Sequence, residues 1–172
     1  MLRTLGLIFI SFFLSSCAQQ ILLVNEFNEA ETLNALREGK NTIKGSALIR
    51  QNMGGVVNCA GNIVNLIPVT TYSNERISAI YKNTSKGFYR RAITFNQPPP
   101  TPFLNDNSAF YQAKKTSQCD AQGFFKFEKI ADGDFYIITT IVWIVGSMEQ
   151  GGHLMLRVSV KNGETKEVVL AP

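Results

Sequence analysis

The sequence predicts an all-β domain, an antiparallel sandwich or barrel of about seven short strands with one or two short helices. Three observations predict it. Beyond Asn41, apolar and polar residues alternate with a period of two over most of the chain. Turn signals rich in glycine, asparagine and proline recur at intervals of roughly ten residues. Finally, 172 residues that are 45% hydrophobic and 17% charged have the makeup of one globular domain, long enough to bury a single core.

The N-terminus stands apart from that domain. MLRTLGLIFISFFLSSC has a basic residue, Arg3, an apolar block from Leu5 to Leu14, and small residues before Cys17. The block is shorter than the ~20 residues of a spanning helix, so residues 1–16 read as a secretory signal. Leu14-Ser15-Ser16-Cys17 resembles the lipobox of bacterial lipoproteins, in which the cysteine is acylated and anchors the mature chain to a membrane. The alternative is an ordinary signal peptide with a chance cysteine. Ala18 is not the acidic retention signal known in Gram-negative lipoproteins, so the resemblance implies the outer membrane of a bacterial envelope.

Residues 17–40 read as a tether containing a short helix. Phe27, Ala30, Leu33 and Leu36 recur at helical spacing, Asn25 or Asn28 is available as a cap, and Gly39 ends the run. The domain proper is then residues 41–172. The chain carries 17 Lys and Arg against 13 Asp and Glu; loss of Arg3 with the signal lowers the formal charge from +4 to +3. That surplus is too small to argue for an anionic partner.

In an exported chain the two remaining cysteines, Cys59 and Cys119, have one possible pairing, a disulfide. The competing readings are two buried thiols or a reactive thiol, although no histidine lies near either in sequence. Strands are expected at 41–51, 56–59 and 63–67, the last closed by Pro68. TTYSNERISAIYK reads as a helix with Ser73 as cap, Ile77, Ile80 and Tyr81 on one face, and Glu75, Arg76 and Lys82 on the polar one. It should pack on a sheet end or edge.

From 83 to 116 the periodicity fades into an irregular loop centred on Gln97-Pro98-Pro99-Pro100-Thr101-Pro102, which lacks the donors a ladder needs. Lys82, Lys86, Arg90, Arg91, Lys114 and Lys115 interleave here with Phe88, Tyr89, Phe103, Phe110 and Tyr111. One reading is a binding surface made of Arg90, Arg91, Pro98, Pro99, Pro100, Phe103, Lys114 and Lys115. The other is that the aromatics pin the loop to the sheet while the bases face water. Export argues against nucleic acid as a partner.

The last third is the plainest β-sequence. Phe125 and Phe127 alternate with Lys126 and Glu128, 135–145 is a long apolar strand, and 146–152 reads as a turn. Leu154 to Val160 alternates again, and Asn162-Gly163 reads as a hairpin turn into 164–170.

Asp120-Ala-Gln-Gly123, Phe125-x-Phe127, Ile130, Gly133 and Phe135-Tyr136, with Gly45-Ser46-Ala47 and the stretch from Asn62 to Pro68 upstream, resemble the carboxypeptidase regulatory-like domains. Those domains have a transthyretin-like β-sandwich, and the likeness spans roughly residues 41–171. Cys59-Ala60-Gly61-Asn62 before a Val-x-Leu-x-Pro strand is similar to a group of bacterial lipoproteins with that domain. On this pattern Gly123 and Gly133 occupy turns of positive φ, and Asp120, Asp132 and Asp134 bond their own turns. A calcium site is disfavoured because a whole strand, at ~3.3 Å per residue, separates Asp120 from Asp132.

Enzymes that use this sandwich need histidines in numbers this chain lacks. His153 is its one histidine, the carboxylates are scattered, and no catalytic, metal or cofactor residue is assigned. The expected function is a non-catalytic, lipid-anchored envelope protein that binds another envelope component, a protein or a glycan. The alternative is an assembly factor docking a partner through the Pro-rich segment; a small hydrolytic or metal-dependent enzyme is less favoured.

Overall fold

The computed structural model describes residues 20–52, 54–90 and 103–172. Cys17, Arg91, Pro98, Pro99 and Pro100 therefore lie outside the described residues.

Two sheets form a sandwich, as the alternation predicts. The first holds β1 (Glu38–Arg50), β2 (Val56–Asn58), β6 (Phe124–Ile130) and β9 (Thr165–Leu170). The second holds β3 (Ile63–Pro68), β4 (Lys86–Arg90), β5 (Lys115–Gln118), β7 (Gly133–Val145) and β8 (Met148–Val160), in the order β4-β8-β7-β3-β5. Pairing is antiparallel except between β1 and β9, which run parallel from Thr42 opposite Thr165 to Ala47 opposite Leu170.

Among the described residues nine strands stand where about seven were expected, and both additions, β4 and β5, begin inside the stretch read as an irregular loop. β5 is Lys-Thr-Ser-Gln, an edge strand with no apolar residue to betray it. β4 is also an edge strand, and its Lys and Arg ends mask the Phe88 and Tyr89 pair at its centre. A 3-10 turn at Ser108–Tyr111 adds further order.

The 146–152 turn shrinks to Gly146-Ser147, because β7 and β8 pair fully from Gly133 opposite Val160 to Val145 opposite Met148. Gly151 serves close approach rather than reversal of the chain. A Cβ there would drive into the carbonyl oxygen of Ile141 and sit 2.9 Å from the Trp143 ring, at a φ of +103°. Gly151→Ala should therefore cost several kcal/mol, roughly the size of a strained, overpacked core site, read as a lower denaturant midpoint. Asn162 and Gly163 do take positive φ of 60° and 76°. Yet they do not close a hairpin, since β8 and β9 belong to different sheets.

The main core lies between the sheets and includes Ile43, Val64, Phe125, Phe127, Ile137, Leu154 and Leu170. A second core lies on the outer face of the five-stranded sheet. There α2 (Thr71–Tyr81) sets Tyr72 and Ile77 against Ile67, Tyr136 and Met155, packing on the face of the sheet instead of its end or edge. Its cap is Thr70, not Ser73. Thr70 Oγ1 accepts from the Ser73 amide at 3.1 Å, and Ser73 Oγ accepts from the Thr70 amide at 2.8 Å.

The N-terminal segment joins this outer layer, and β1 begins at Glu38, so the 17–40 tether is partly domain. Leu23 is buried and Phe27 packs against Tyr72 and Phe110, with ring centroids 5.5 and 6.1 Å away. α1 (Glu29–Ala35) is capped by Asn28, but its expected apolar stripe is not buried: Leu33 is 52% exposed and Thr32 is the buried residue. Two turns are too short to bury a stripe when Phe27 and Leu23 already make the attachment.

Of the three aspartates expected to bond their own turns, Asp120 does so, whereas Asp132 and Asp134 bond partners distant in sequence. Asp120 accepts from the amides of Gln122 and Phe124, each at 2.9 Å, around Gly123 with its φ of +85°. Asp132 accepts from Asn41 Nδ2 and the Asn162 amide, and Asp134 pairs with Arg157 and Ser159. Cys59 and Cys119 are bonded, with Cα atoms 5.8 Å apart.

A candidate ligand cleft beside the outer helix

Alternate residues of the five-stranded sheet point away from the main core. They bring Asn65 of β3, Ile138 of β7, His153 of β8 and Tyr89 of β4 to one surface. α2 covers part of it and ends at Lys82, whose left-handed φ of 56° breaks the helix. What stays open is a cleft of about 510 Å³. Ile80 and Tyr81 of α2 line it on one side, and Phe103, Phe110, Tyr111 and Lys114 line it from the returning chain.

The row across its floor is polar. Thr140, His153 and Tyr89 are cross-strand neighbours; His153 Nδ1 lies 2.7 Å from Thr140 Oγ1, and the Tyr89 and His153 rings are 6.1 Å apart. Burial pushes the Tyr81 hydroxyl well above the usual tyrosine range, so it stays a neutral donor.

The aromatic wall is organised by Arg76, which the helical pattern assigns to the solvent face of α2 and the structure buries to 5% exposure. Its guanidinium carbon lies 4.3 Å from the Phe103 ring centre, 4.6 Å from Phe110, 5.3 Å from Tyr111 and 5.6 Å from Tyr72. It pairs with Asp106 and donates to the Tyr111 hydroxyl at 3.0 Å. Asp106 also accepts from the hydroxyls of Tyr72 and Tyr111. Burial alone would raise the Asp106 pKa, but Tyr111, Arg76 and Tyr72 outweigh it and hold the carboxyl below its usual range. Arg76 is thus a buried cation whose partners are all in place.

A second carboxylate fixes the N-terminal segment to this layer. Glu75 accepts from the amides of Val24 at 2.7 Å and Asn25 at 2.9 Å, and from Asn25 Nδ2 at 2.8 Å. Burial opposes its charge, yet these three donors win and lower its pKa. A carboxyl lowered on folding stabilises above its unfolded pKa and loses that contribution as pH falls through the folded value. Amide exchange at Val24 and Asn25 is therefore expected to speed up, relative to the main core, below about pH 4. Equal protection at pH 3 and pH 6 would contradict the clamp.

Of the eight residues proposed as a binding surface, the structure brings Phe103 and Lys114 together in this cleft. Arg90 instead borders a cavity of about 690 Å³ at the open end of the sandwich, with Arg50 and Trp143. Lys115 enters β5, and its Nζ donates to the Lys129 carbonyl at 3.2 Å. The aromatics do pin the chain to the sheet, Phe110 being buried, and in doing so they build the wall. Asn65, Arg76, Tyr81, Asp106 and His153 were missed. For Arg76 the signal was its place in Tyr72, Arg76 and Ile80, a spacing of four that sets it on the packed stripe of α2.

A further groove of about 680 Å³ runs over β1, β6 and β9, where the Lys44–Glu167 ion pair spans 2.6 Å. It presents no comparable set of rings with polar tips, and the outer cleft is the candidate site.

No protein-family model matches the chain, and no curated protein matches it. Among solved structures, the chain is similar to a Pseudomonas aeruginosa protein described as a proposed carbohydrate-binding protein. The TM-score is 0.68 at 20% identity, over 86% of this chain and 99% of the other. At that identity the likeness is one of fold.

Proposed function

We propose that this protein is a non-catalytic, lipid-anchored component of a bacterial envelope, with Cys17 as the acylated residue, and that it binds a glycan in the outer cleft. The observation that carries the glycan reading is the lining of the 510 Å³ cleft. Tyr81, Tyr89, Phe103 and Tyr111 offer rings, and Asn65, His153 and Lys114 offer polar tips. Sugars present apolar C–H faces ringed by hydroxyls, and aromatic side chains with a polar handle meet both demands. The similar fold of the Pseudomonas aeruginosa protein supports the reading, and the Cys59–Cys119 bond suits an oxidising compartment.

Calorimetric titration with a panel of envelope oligosaccharides tests it. Binding without bond cleavage is expected, and Tyr89→Ala should weaken it about tenfold, the loss of roughly 1.4 kcal/mol for one ring contact. Binding that is indifferent to both Tyr89→Ala and Lys114→Ala would remove the cleft from the reading.

A further inference from the structure

We propose that Leu22, Val24 and Leu104 rest on a lipid bilayer and hold the domain with its outer layer against the membrane. The proposal relies on the acylation of Cys17 proposed above.

Ile21-Leu22-Leu23-Val24 is apolar at four successive positions. In an extended chain these alternate between two faces. Ile21 and Leu23 face inward: Ile21 lines the cleft and bridges in parallel to Phe103, and Leu23 is 2% exposed. Leu22 and Val24 face solvent at 64% and 85% exposure, and Leu104, on the neighbouring stretch, is 59% exposed. A segment with one buried face ordinarily carries polar residues on the other. Here the outer face carries Leu22, Val24 and Leu104, three exposed apolar side chains on two stretches joined by the Ile21–Phe103 bridge, as an interaction surface would.

The strip is also held in place. Leu104 N donates to the Ile21 carbonyl at 2.8 Å, Leu23 N donates to Asn105 Oδ1 at 2.9 Å, and Asn105 Nδ2 returns a bond to the Leu23 carbonyl at 2.8 Å. Glu75 clamps the next two amides. So the leucines and valine are presented by a fastened ribbon.

Its occupant follows from the chain that precedes it. Cys17 is five residues from Leu22, a span of at most about 18 Å however the intervening chain runs. With acyl chains on Cys17 buried in a bilayer, an apolar surface lies within that reach of the strip. Ile21 lines the cleft and is the chain neighbour of Leu22 in the strip, so the cleft adjoins the lipid surface.

The experiment uses the full-length protein, purified from membranes and reconstituted in nanodiscs of phosphatidylethanolamine and phosphatidylglycerol. An environment-sensitive fluorophore is attached at Leu104→Cys or at Val145→Cys. The latter lies at the β7–β8 hairpin tip, where Ile144, Val145 and Met148 form the rival exposed apolar group at 72%, 46% and 55%. Emission at 104 should shift to the blue and be quenched by lipids carrying a nitroxide, while emission at 145 stays water-like. Water-like emission at 104, or quenching at 145 alone, overturns the proposal. Intact mass separates the causes: unacylated Cys17 overturns the anchor and the docking together, whereas acylated protein with an unshifted 104 overturns docking alone. Glycan titration in solution judges the cleft independently of both.

Discussion

A Cys59→Ala, Cys119→Ala variant is expected to lose about 4 kcal/mol of folding stability, the chain-entropy value for a bridge across 60 residues. Midpoints in urea or guanidinium measure it, and the thermal midpoint should fall by roughly 10 °C for a chain of this size. The bond joins two crossovers. Cys59 lies where the chain leaves β2 of the four-stranded sheet for β3 of the five-stranded one, and Cys119 where it returns from β5 to β6. Their amides and carbonyls are already knitted together: Cys119 N donates to the Asn62 carbonyl at 3.0 Å, and Gly61 N donates to the Cys119 carbonyl at 3.0 Å. The native geometry therefore survives without the covalent link, and the effect falls on the unfolded chain. Both cysteines are at least 97% buried, so a mild reductant should act only as fast as the domain opens. A loss below about 1 kcal/mol would mean that the bridge scarcely restricts the unfolded ensemble.

Arg76→Ala is the second large effect, at about 3 kcal/mol. Removing one member of a buried ion pair leaves the other with an uncompensated charge, and here four rings also lose the cation they surround. The figure sits at the low end of the usual range because the Asp106 side chain is 27% exposed and can draw on water. Arg76→Lys should rescue little, since a point charge cannot reach Asp106 and Tyr111 with the two separate nitrogens that Arg76 uses. Arg76→Met, which keeps apolar volume, should be less damaging to stability than alanine while still misplacing Phe103 and Tyr111, and so should weaken glycan binding. If Arg76→Ala costs less than 1 kcal/mol, the cage is energetically a surface pair.

The sandwich was legible because strands with one buried face write their period into the sequence: Phe125 and Phe127, or Leu154 through Val160, need no partner to be recognised. The disulfide was legible by counting, and the Gly123 turn by Asp120 and glycine spacing. Features that depend on distant partners were not. The parallel pairing of β1 with β9 joins Thr42 to Thr165 and leaves no local trace. β5 is a strand only because β3 supplies its hydrogen bonds. The cleft suffered most, since its floor and aromatic wall come from six separate segments. Arg76 looked like a solvent-facing base because its neutralising partner, Asp106, arrives thirty residues later.

That parallel pairing also governs the order in which the domain can be finished. Until the stretch from Thr165 to Leu170 exists and has travelled back to Thr42–Ala47, β1 has an open edge there, a row of unsatisfied amides and carbonyls beside apolar side chains. Closing so long a loop is slow. A chain truncated after Glu164 is in this respect a sticky strand awaiting any donor, and self-association of such fragments, rather than simple unfolding, is their natural fate.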